Sequence, residues 1–171
     1  LVGSEMCIRD SVKYSDDTTN KLQDILPTDL KNLKINQSKY SFLMKENGGI
    51  YDDLIITRMK DQYMIILNAA CKQNDLQIIK NKLNDQNLDI DNNLSLVAIQ
   101  GPESKTILEN VVSNVSKLKF MNGGNFSFEN NEIKWYEVRP SSIKNNKILL
   151  KKDLKIGCLL YTSPSPRDPN R

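Results

Sequence analysis

The apolar residues of this chain fall into two spacings along its length. Alternating or continuous apolar runs that are rich in β-branched residues are typical of strands. Such runs cover residues 39–45, 50–59, 62–68, 88–92, 94–100, 126–128 and 132–138. Helical spacing covers residues 69–83, where Leu76, Ile79 and Leu83 share one face.

Capping and proline signals predict two further helices. Asp17-Thr18 can cap a short helix that ends before Pro27, because proline cannot continue a helix. The apolar stripe of this helix is formed by Leu22, Ile25 and Leu26. Pro102 is well placed to begin another helix after the strand at residues 94–100. The apolar positions of that helix are Ile107, Leu108, Val111, Val112 and Val115.

Glycine-containing turns connect the predicted strands. Asn47-Gly48-Gly49 predicts a hairpin, because glycine adopts a positive φ without steric cost. Gly123-Gly124 predicts a second turn, just before the strand at residues 126–128. Strand pairs separated by helices indicate an α+β fold, with an antiparallel meander sheet and helices packed against it.

Composition is that of a soluble globular domain, with 39% hydrophobic and 26% charged residues among 171. No apolar run approaches the roughly 20 residues that span a bilayer, so we expect no membrane association. The formal net charge is +3, but most of the cationic residues are dispersed lysines. Arg58 and Arg139 are the only arginines between residues 12 and 157. Nucleic-acid sites favour clustered arginine, so we expect no nucleic-acid partner.

Histidine is absent from the sequence, which excludes histidine-dependent triads and histidine-containing metal sites. The three cysteines, Cys7, Cys71 and Cys158, are far apart, and no CxxC motif is present. Neither a metal site nor a disulfide framework is therefore indicated. A reducing, intracellular setting fits best: the cytoplasm, or the mitochondrial matrix in a eukaryote.

Both ends of the chain lack the periodicity of the rest. Residues 1–11 show neither spacing, and residues 158–171 form a proline-rich tail. Both resemble translated sequencing-adapter sequence, so we expect them to be artefacts or disordered segments outside the fold. On this interpretation the chain is an internal fragment of a longer protein, with a domain at residues 12–134.

Asp52-Asp53 is the sequence feature that most needs explanation, because it places two carboxylates at the start of an apolar strand. Burying an unpaired carboxylate is too costly, and strand alternation sends the two side chains to opposite faces. Asp53 could act on a substrate nitrogen or could cap a turn. Asn68 could hold a polar heterocycle or cap the next helix. Tyr40 could stack on a flat ligand or pack across the hairpin.

Several short segments, taken together, resemble the amino-terminal part of the aminomethyltransferase family, the T-protein of the glycine cleavage system. The segments are Lys39-Tyr40-Ser41, Asn47-Gly48-Gly49-Ile50-Tyr51-Asp52-Asp53, Leu67-Asn68-Ala69-Ala70 and Gln100-Gly101-Pro102, in this order. The resemblance covers about residues 15–134. It implies that the chain is a fragment of the folate-binding domain of such an enzyme.

The resemblance also implies roles for three residues. Asp53 matches the family's catalytic carboxylate, which holds the pterin of tetrahydrofolate, while Tyr40 and Asn68 match residues that line the folate pocket. The implied reaction moves a one-carbon unit from an aminomethyl group on the lipoyl arm of a carrier protein (H-protein) to tetrahydrofolate, with release of ammonia.

The sequence departs from the family pattern after residue 134, where a Gly-Tyr-Thr-Gly-Glu segment is expected and does not occur. A reading-frame error would explain this, so the fold of residues 135–157 is left open and we expect the chain alone to be inactive. Three alternatives remain. They are a non-catalytic folate-binding protein of the iron–sulfur assembly type, the folate domain of an amine dehydrogenase or demethylase, and a non-catalytic interaction module.

Overall fold

The structure is a computed structural model that describes residues 9–68, 70–84, 88–90, 94–100, 104–110, 112–114, 117–128, 131–138 and 145–151. The strands are β1 (Arg9–Lys13), β2 (Ser38–Met44), β3 (Ile50–Arg58), β4 (Gln62–Leu67), β5 (Leu88–Ile90), β6 (Leu94–Gln100), β7 (Asn122–Phe128), β8 (Asn131–Val138) and β9 (Asn145–Lys151). The helices are α1 (Asp16–Gln23), α2 (Lys72–Leu83) and α3 (Ser104–Glu109).

The strands form two antiparallel sheets. The first has the order β2-β3-β4-β1-β5, and the second has the order β6-β9-β8-β7. In the first sheet, β2, β3 and β4 form a meander, and β1 then pairs with β4 on one side and with β5 on the other. The predicted α+β fold with an antiparallel meander is confirmed, and so is β5 as an edge strand.

The predicted hairpin is the β2–β3 pair. Gly48 has φ +80°, a conformation that L-residues with a side chain rarely adopt, so glycine is needed in this turn. Phe42 lies opposite Asp53, and Tyr40 lies opposite Ile55. This register determines which side chains of β2 can reach the carboxylates of β3.

Helices α1 and α2 pack against one face of the first sheet. The buried cluster is formed by Val12, Leu22, Leu26, Leu30, Leu33, Leu43, Leu54, Ile56, Tyr63, Ile65, Leu67, Leu76, Ile79 and Leu83. The hydroxyl group of Tyr63 is the polar end of this cluster, and it lies 3.0 Å from Thr19 Oγ1. A buried hydroxyl without a partner would be costly, so this contact permits the tyrosine to lie fully inside the core.

Helix α1 begins two residues earlier than the sequence predicts. Its N-cap is Ser15 and not Asp17, because Ser15 Oγ accepts a hydrogen bond from the Thr18 backbone N–H at 3.0 Å. Asp17 instead lies in the first turn, where its negative charge faces the positive end of the helix dipole. The helix ends before Ile25 and Leu26, which pack against the core from the following turn.

Gly123-Gly124 does not form the predicted turn. Both glycines lie within β7, where the Gly123 N–H donates to the carbonyl oxygen of Asn36 at 2.8 Å. An isolated bridge pairs Gln37 with Asn122 beside this contact. The glycines therefore lie where the start of the second sheet meets the loop before β2, which a turn-based interpretation could not anticipate.

Two other helix predictions need correction. Helix α2 begins at Lys72 and not at residue 69. In and after α3, Leu108 and Val112 are buried as expected, but Ile107 is 39% exposed. Pro102, Val111 and Val115 lie outside the described residues.

The predicted boundaries at the two ends also change. Strand β1 begins at Arg9 and pairs with β4, so residues 9–11 belong to the first sheet and not to an excluded terminus. Strand β9 pairs with both β6 and β8, so residues 145–151 belong to the second sheet. Residues 1–8 and 158–171 lie outside the described part of the chain.

Ile79 tests how much the packing of α2 stabilises the fold. Its side chain is fully buried between α2 and the sheet, so we expect Ile79→Ala to lower the free energy of unfolding by about 2–5 kcal/mol. The matched control is Ile35→Ala, which truncates the same residue type at a position that is 57% exposed, and it should cost less than about 0.5 kcal/mol. Urea unfolding measures both, and equal effects would contradict the packing described here.

Candidate functional site

Asp53 is the centre of a hydrogen-bonded cluster at the start of β3. Its Oδ2 atom accepts a hydrogen bond from the hydroxyl group of Tyr40. Its Oδ1 atom accepts one from Nδ2 of Asn68 at 2.9 Å. The structure thus brings together the three residues that the sequence analysis selected, although they are separated along the chain.

Strand register explains why these three side chains meet. Phe42 lies opposite Asp53, so Tyr40, two residues along β2, is a diagonal neighbour on the same face. Leu67 pairs with Leu54 in β4, and Asn68 directly follows β4, beside Asp53.

The contacts of Asn68 and Tyr40 distinguish between the two roles considered for each residue. Asn68 does not cap α2, since the N-cap is Cys71 and makes no side-chain capping bond. The side-chain amide of Asn68 instead donates hydrogen bonds to the Asp52 and Asp53 carboxylates. Tyr40 does pack across an aromatic neighbour, with its ring centroid 5.4 Å from that of Phe42 in an edge-to-face arrangement. However, Tyr40 remains 53% exposed, so part of its surface is open to a ligand.

Asp52 faces the helical layer, as strand alternation requires. Its Oδ1 atom accepts hydrogen bonds from the Asp53 backbone N–H at 2.9 Å and from Asn68 Nδ2 at 3.0 Å. Asn68 therefore bridges the two carboxylates and fixes their relative positions. Its Nδ2 atom also approaches the Asp53 carbonyl oxygen at 3.2 Å, so its two protons are shared among three acceptors.

Asp75 of α2 is the functional candidate that the sequence analysis missed. It is only 1% exposed, and its electrostatic interactions place it beside Asp52. Among the described residues, Asp52 Oδ2 and Asp75 Oδ2 are both buried and neither has a hydrogen-bond donor. A signal was present in the sequence, because Asp75, Ile79 and Leu83 follow a four-residue spacing that puts a carboxyl group on an apolar helix face.

Burial and proximity shift the pKa values of this pair in opposite directions. Burial, followed by the hydrogen bond and the negative charge of Asp52, raises the pKa of Asp75 to about 6. Burial also disfavours ionisation of Asp52, but the Asp53 N–H, the Asn68 amide and Asp75 together lower the pKa of Asp52. Below about pH 6 the pair therefore holds one proton, which resides on Asp75 and is donated to the Asp52 carboxylate.

The thiol of Cys71, at the start of α2, is exposed and lies near the same carboxylates. The negative charge of Asp52, with smaller effects of desolvation and of Asp75 and Asp53, raises its pKa. The thiol is therefore neutral near pH 7 and is not an activated nucleophile.

Two of the cavities formed by the described residues are not lined by Asp53. The cavities in the described part of the structure include one of about 420 Å³ beside Asn32 and one of about 650 Å³ beside Tyr51. Asp53 lines neither of them, so the prediction that it faces a folate-sized pocket stays a prediction.

The described residues contain no group of three or more metal-ligating side chains. No helix in this part of the chain is long and apolar enough to cross a bilayer.

Comparison with known families gives one match, to the family described as the GCVT N-terminal domain, over residues 15–150. The match extends to residue 150, beyond residue 134, where the sequence analysis places the end of the resemblance. The frame change suggested for the residues after 134 stays a prediction.

Among curated proteins, the chain is similar to the aminomethyltransferase of Shouchella clausii (strain KSM-K16), with 38% identity over 96 residues. The aligned part is 54% of this chain and 26% of that protein. The chain thus spans about a quarter of the length of this relative.

Among solved structures, the fold is similar to the glycine cleavage system aminomethyltransferase T from Bartonella henselae. The TM-score is 0.75 at 26% identity, and the match covers 87% of this chain and 41% of that one. The heterotetrameric sarcosine oxidase from Corynebacterium sp. U-96 matches with a TM-score of 0.60 at 9% identity, over 89% of this chain and 79% of that one. The second likeness shows a shared fold alone.

The raised pKa of Asp75 makes stability depend on pH. A carboxyl group that titrates near 3.8 when unfolded and near 6 when folded stabilises the fold fully below pH 3.8 and loses this contribution as the pH rises through 6. Asp75→Asn removes the ionisation but keeps a donor for Asp52. We therefore expect this variant to be more stable than the wild type at pH 8, by up to about 3 kcal/mol, with the difference shrinking towards pH 4.

Urea unfolding at pH 4, 6 and 8 measures this difference. The matched control is Asp61→Asn in the exposed turn before β4, which should leave the pH dependence unchanged. A constant difference between Asp75→Asn and the wild type at all three pH values would contradict the assigned titration.

Proposed function

Because the chain belongs to the GCVT N-terminal domain family, we propose that it is the tetrahydrofolate-binding part of an aminomethyltransferase of glycine cleavage. The proposed reaction moves a one-carbon unit from an aminomethyl group to tetrahydrofolate and releases ammonia. The aminomethyl group is carried on the lipoyl arm of a carrier protein (H-protein). The proposed setting is the cytoplasm, or the mitochondrial matrix in a eukaryote.

The convergence of Tyr40 and Asn68 on Asp53 is the observation that carries this proposal. Each oxygen of the Asp53 carboxylate accepts one of these hydrogen bonds. A carboxylate oxygen has two lone pairs, so both oxygens retain capacity for a further donor. Both donors are neutral, so they orient the carboxylate without cancelling its negative charge.

This geometry fits the chemistry of a reduced pterin. Tetrahydrofolate, when bound, supplies the nitrogen atoms that accept the one-carbon unit. The role proposed for Asp53 is to accept hydrogen bonds from the ring and to counter positive charge that develops at these nitrogens. The exposed part of the Tyr40 ring offers a surface on which a flat bicyclic ring can stack.

Positioning supplies the rest of the proposed acceleration. Both reacting groups are bound species, one on a carrier arm and one in the folate site, so holding them together replaces a bimolecular encounter. Asn68 contributes indirectly, since it fixes Asp53 through a bond of 2.9 Å. The chain contains no histidine, so the carboxyl groups at this site are proposed to provide the proton exchange and charge stabilisation that imidazole provides in other enzymes.

Asp53→Asn tests the proposal directly. The substitution keeps the size of the side chain and removes its charge, so we expect tetrahydrofolate to bind at least about tenfold more weakly, equivalent to about 1.4 kcal/mol. Isothermal titration calorimetry with the 171-residue chain measures this loss. Asp61→Asn, which makes the same chemical change in an exposed turn, should bind like the wild type. Absence of binding heat for the wild type would favour the interaction-module alternative.

Two substitutions of Tyr40 separate its hydroxyl group from its ring. Tyr40→Phe removes the donor to Asp53 but keeps the stacking surface, so we expect a loss of affinity of about threefold, typical of one neutral hydrogen bond. Tyr40→Ala removes both and should cost about tenfold or more. Equal affinities for the two variants would show that the ring does not contact the pterin.

A further inference from the structure

We propose that Asp75 is a positioning residue for Asp53, because its carboxyl group shares one proton with Asp52 and thereby holds the Asp52–Asn68–Asp53 network in one orientation. The proposal rests on the proposed function, since Asp53 is assigned to tetrahydrofolate binding there. Asp75 itself touches neither the ligand nor Asp53 in this assignment. It acts through two intervening side chains.

The Asp52–Asp75 pair contains two buried carboxyl oxygens that lack a donor among the described residues. Asp52 Oδ2 and Asp75 Oδ2 are both shielded from solvent, and neither has a donor among the described residues. Two ionised carboxylates facing each other in this way would be strongly unfavourable. One proton between them turns two unsatisfied acceptors into a donor and an acceptor, and leaves the pair with a single negative charge.

A chain of hydrogen bonds leads from this pair to Asp53. With Oδ2 held by Asp75, the Oδ1 atom of Asp52 is directed at Asn68 Nδ2, 3.0 Å away. The same amide reaches Asp53 Oδ1 at 2.9 Å. Rotation of the Asp52 carboxylate would withdraw an acceptor from Asn68 and release the orientation of Asp53. Loss of the shared proton is the event that permits this rotation.

Titratable and polar groups surround the pair on both β3 and the start of α2. Asp52 faces Asp75 from β3, and the charge of Asp53 acts on it from the opposite face of the same strand. Asn74 precedes Asp75 on α2, and Cys71 is the N-cap of this helix. Tyr40 approaches the same region from β2 through its bond to Asp53. Because the pKa of the Cys71 thiol is raised, the thiol stays neutral between pH 5.5 and 8. Titration of the carboxyl pair therefore dominates in this range.

Asp75→Asn gives the sharpest test, since asparagine donates to Asp52 at every pH. In the wild-type chain we expect the affinity for tetrahydrofolate to fall about tenfold from pH 5.5 to pH 8, as the competent protonated pair is depleted. In Asp75→Asn the affinity should change less than about twofold over this range and should exceed that of the wild type at pH 8. A role of Asp75 in folding alone would not produce this reversal.

Asp75→Ala removes the donor altogether and should bind about tenfold more weakly than the wild type at pH 5.5. Circular dichroism establishes whether this variant folds, and if it does not, the pH profile of Asp75→Asn decides alone. Parallel pH profiles for Asp75→Asn and the wild type would overturn the proposal. The exposed-turn variant Asp61→Asn should reproduce the wild-type profile.

A measurement without ligand separates this proposal from the proposed function. In ¹H–¹⁵N spectra of the 171-residue chain, the side-chain amide resonances of Asn68 should shift with the titration of the pair in the wild type and stay constant in Asp75→Asn. If these shifts appear but tetrahydrofolate gives no heat, the positioning role stands and the proposed ligand is wrong. If folate binds but Asn68 does not respond to pH, the positioning role is wrong.

Discussion

Desolvation of carboxyl groups at the start of β3 is the constraint on which the site depends. The apolar strand and α2 exclude water from Asp52 and Asp75, so every polar atom there must find a partner within the protein. Asn68, the Asp53 backbone N–H and one shared proton provide those partners. The orientation of Asp53 is therefore a consequence of how the neighbouring carboxyl groups are satisfied.

Packing and chemistry share the same elements in this region. Leu54 and Ile56 of β3 belong to the buried cluster that anchors the strand, and Ile79 anchors α2 against it. Asp52 lies on the same face of β3 as Leu54, and Asp75 lies one helical turn before Ile79. Substitutions in the core are therefore expected to alter the distance between the two carboxyl groups, and with it the pKa of Asp75 and the geometry at Asp53.

Much of this arrangement could be predicted from the sequence because local signals agree with it. The glycine-containing turn before β3 determines the hairpin register, and that register places Tyr40 diagonally across from Asp53. The approach of Asn68 follows from its position directly after β4. Asp75 was missed because the sequence analysis considered only the apolar residues of α2, whereas Asp75 is a polar residue on the same buried face. The place of Gly123 in a strand could not be predicted, because its reason is a backbone contact to Asn36, far away in the sequence.

The chain contains no histidine, and the carboxyl pair is a group that can exchange a proton near neutral pH. Histidine is the side chain whose ordinary pKa allows proton exchange near neutrality, and this chain has none. Burial beside Asp52 raises the pKa of Asp75 to about 6, which brings a carboxyl group into the range that imidazole usually serves. Asp53 lies half-buried on the other face of the strand, and its two donors among the described residues, the Tyr40 hydroxyl group and the Asn68 amide, are neutral. The exchangeable proton and the carboxylate proposed to bind the ligand thus lie on different side chains, Asp75 and Asp53, which are connected through Asp52 and Asn68.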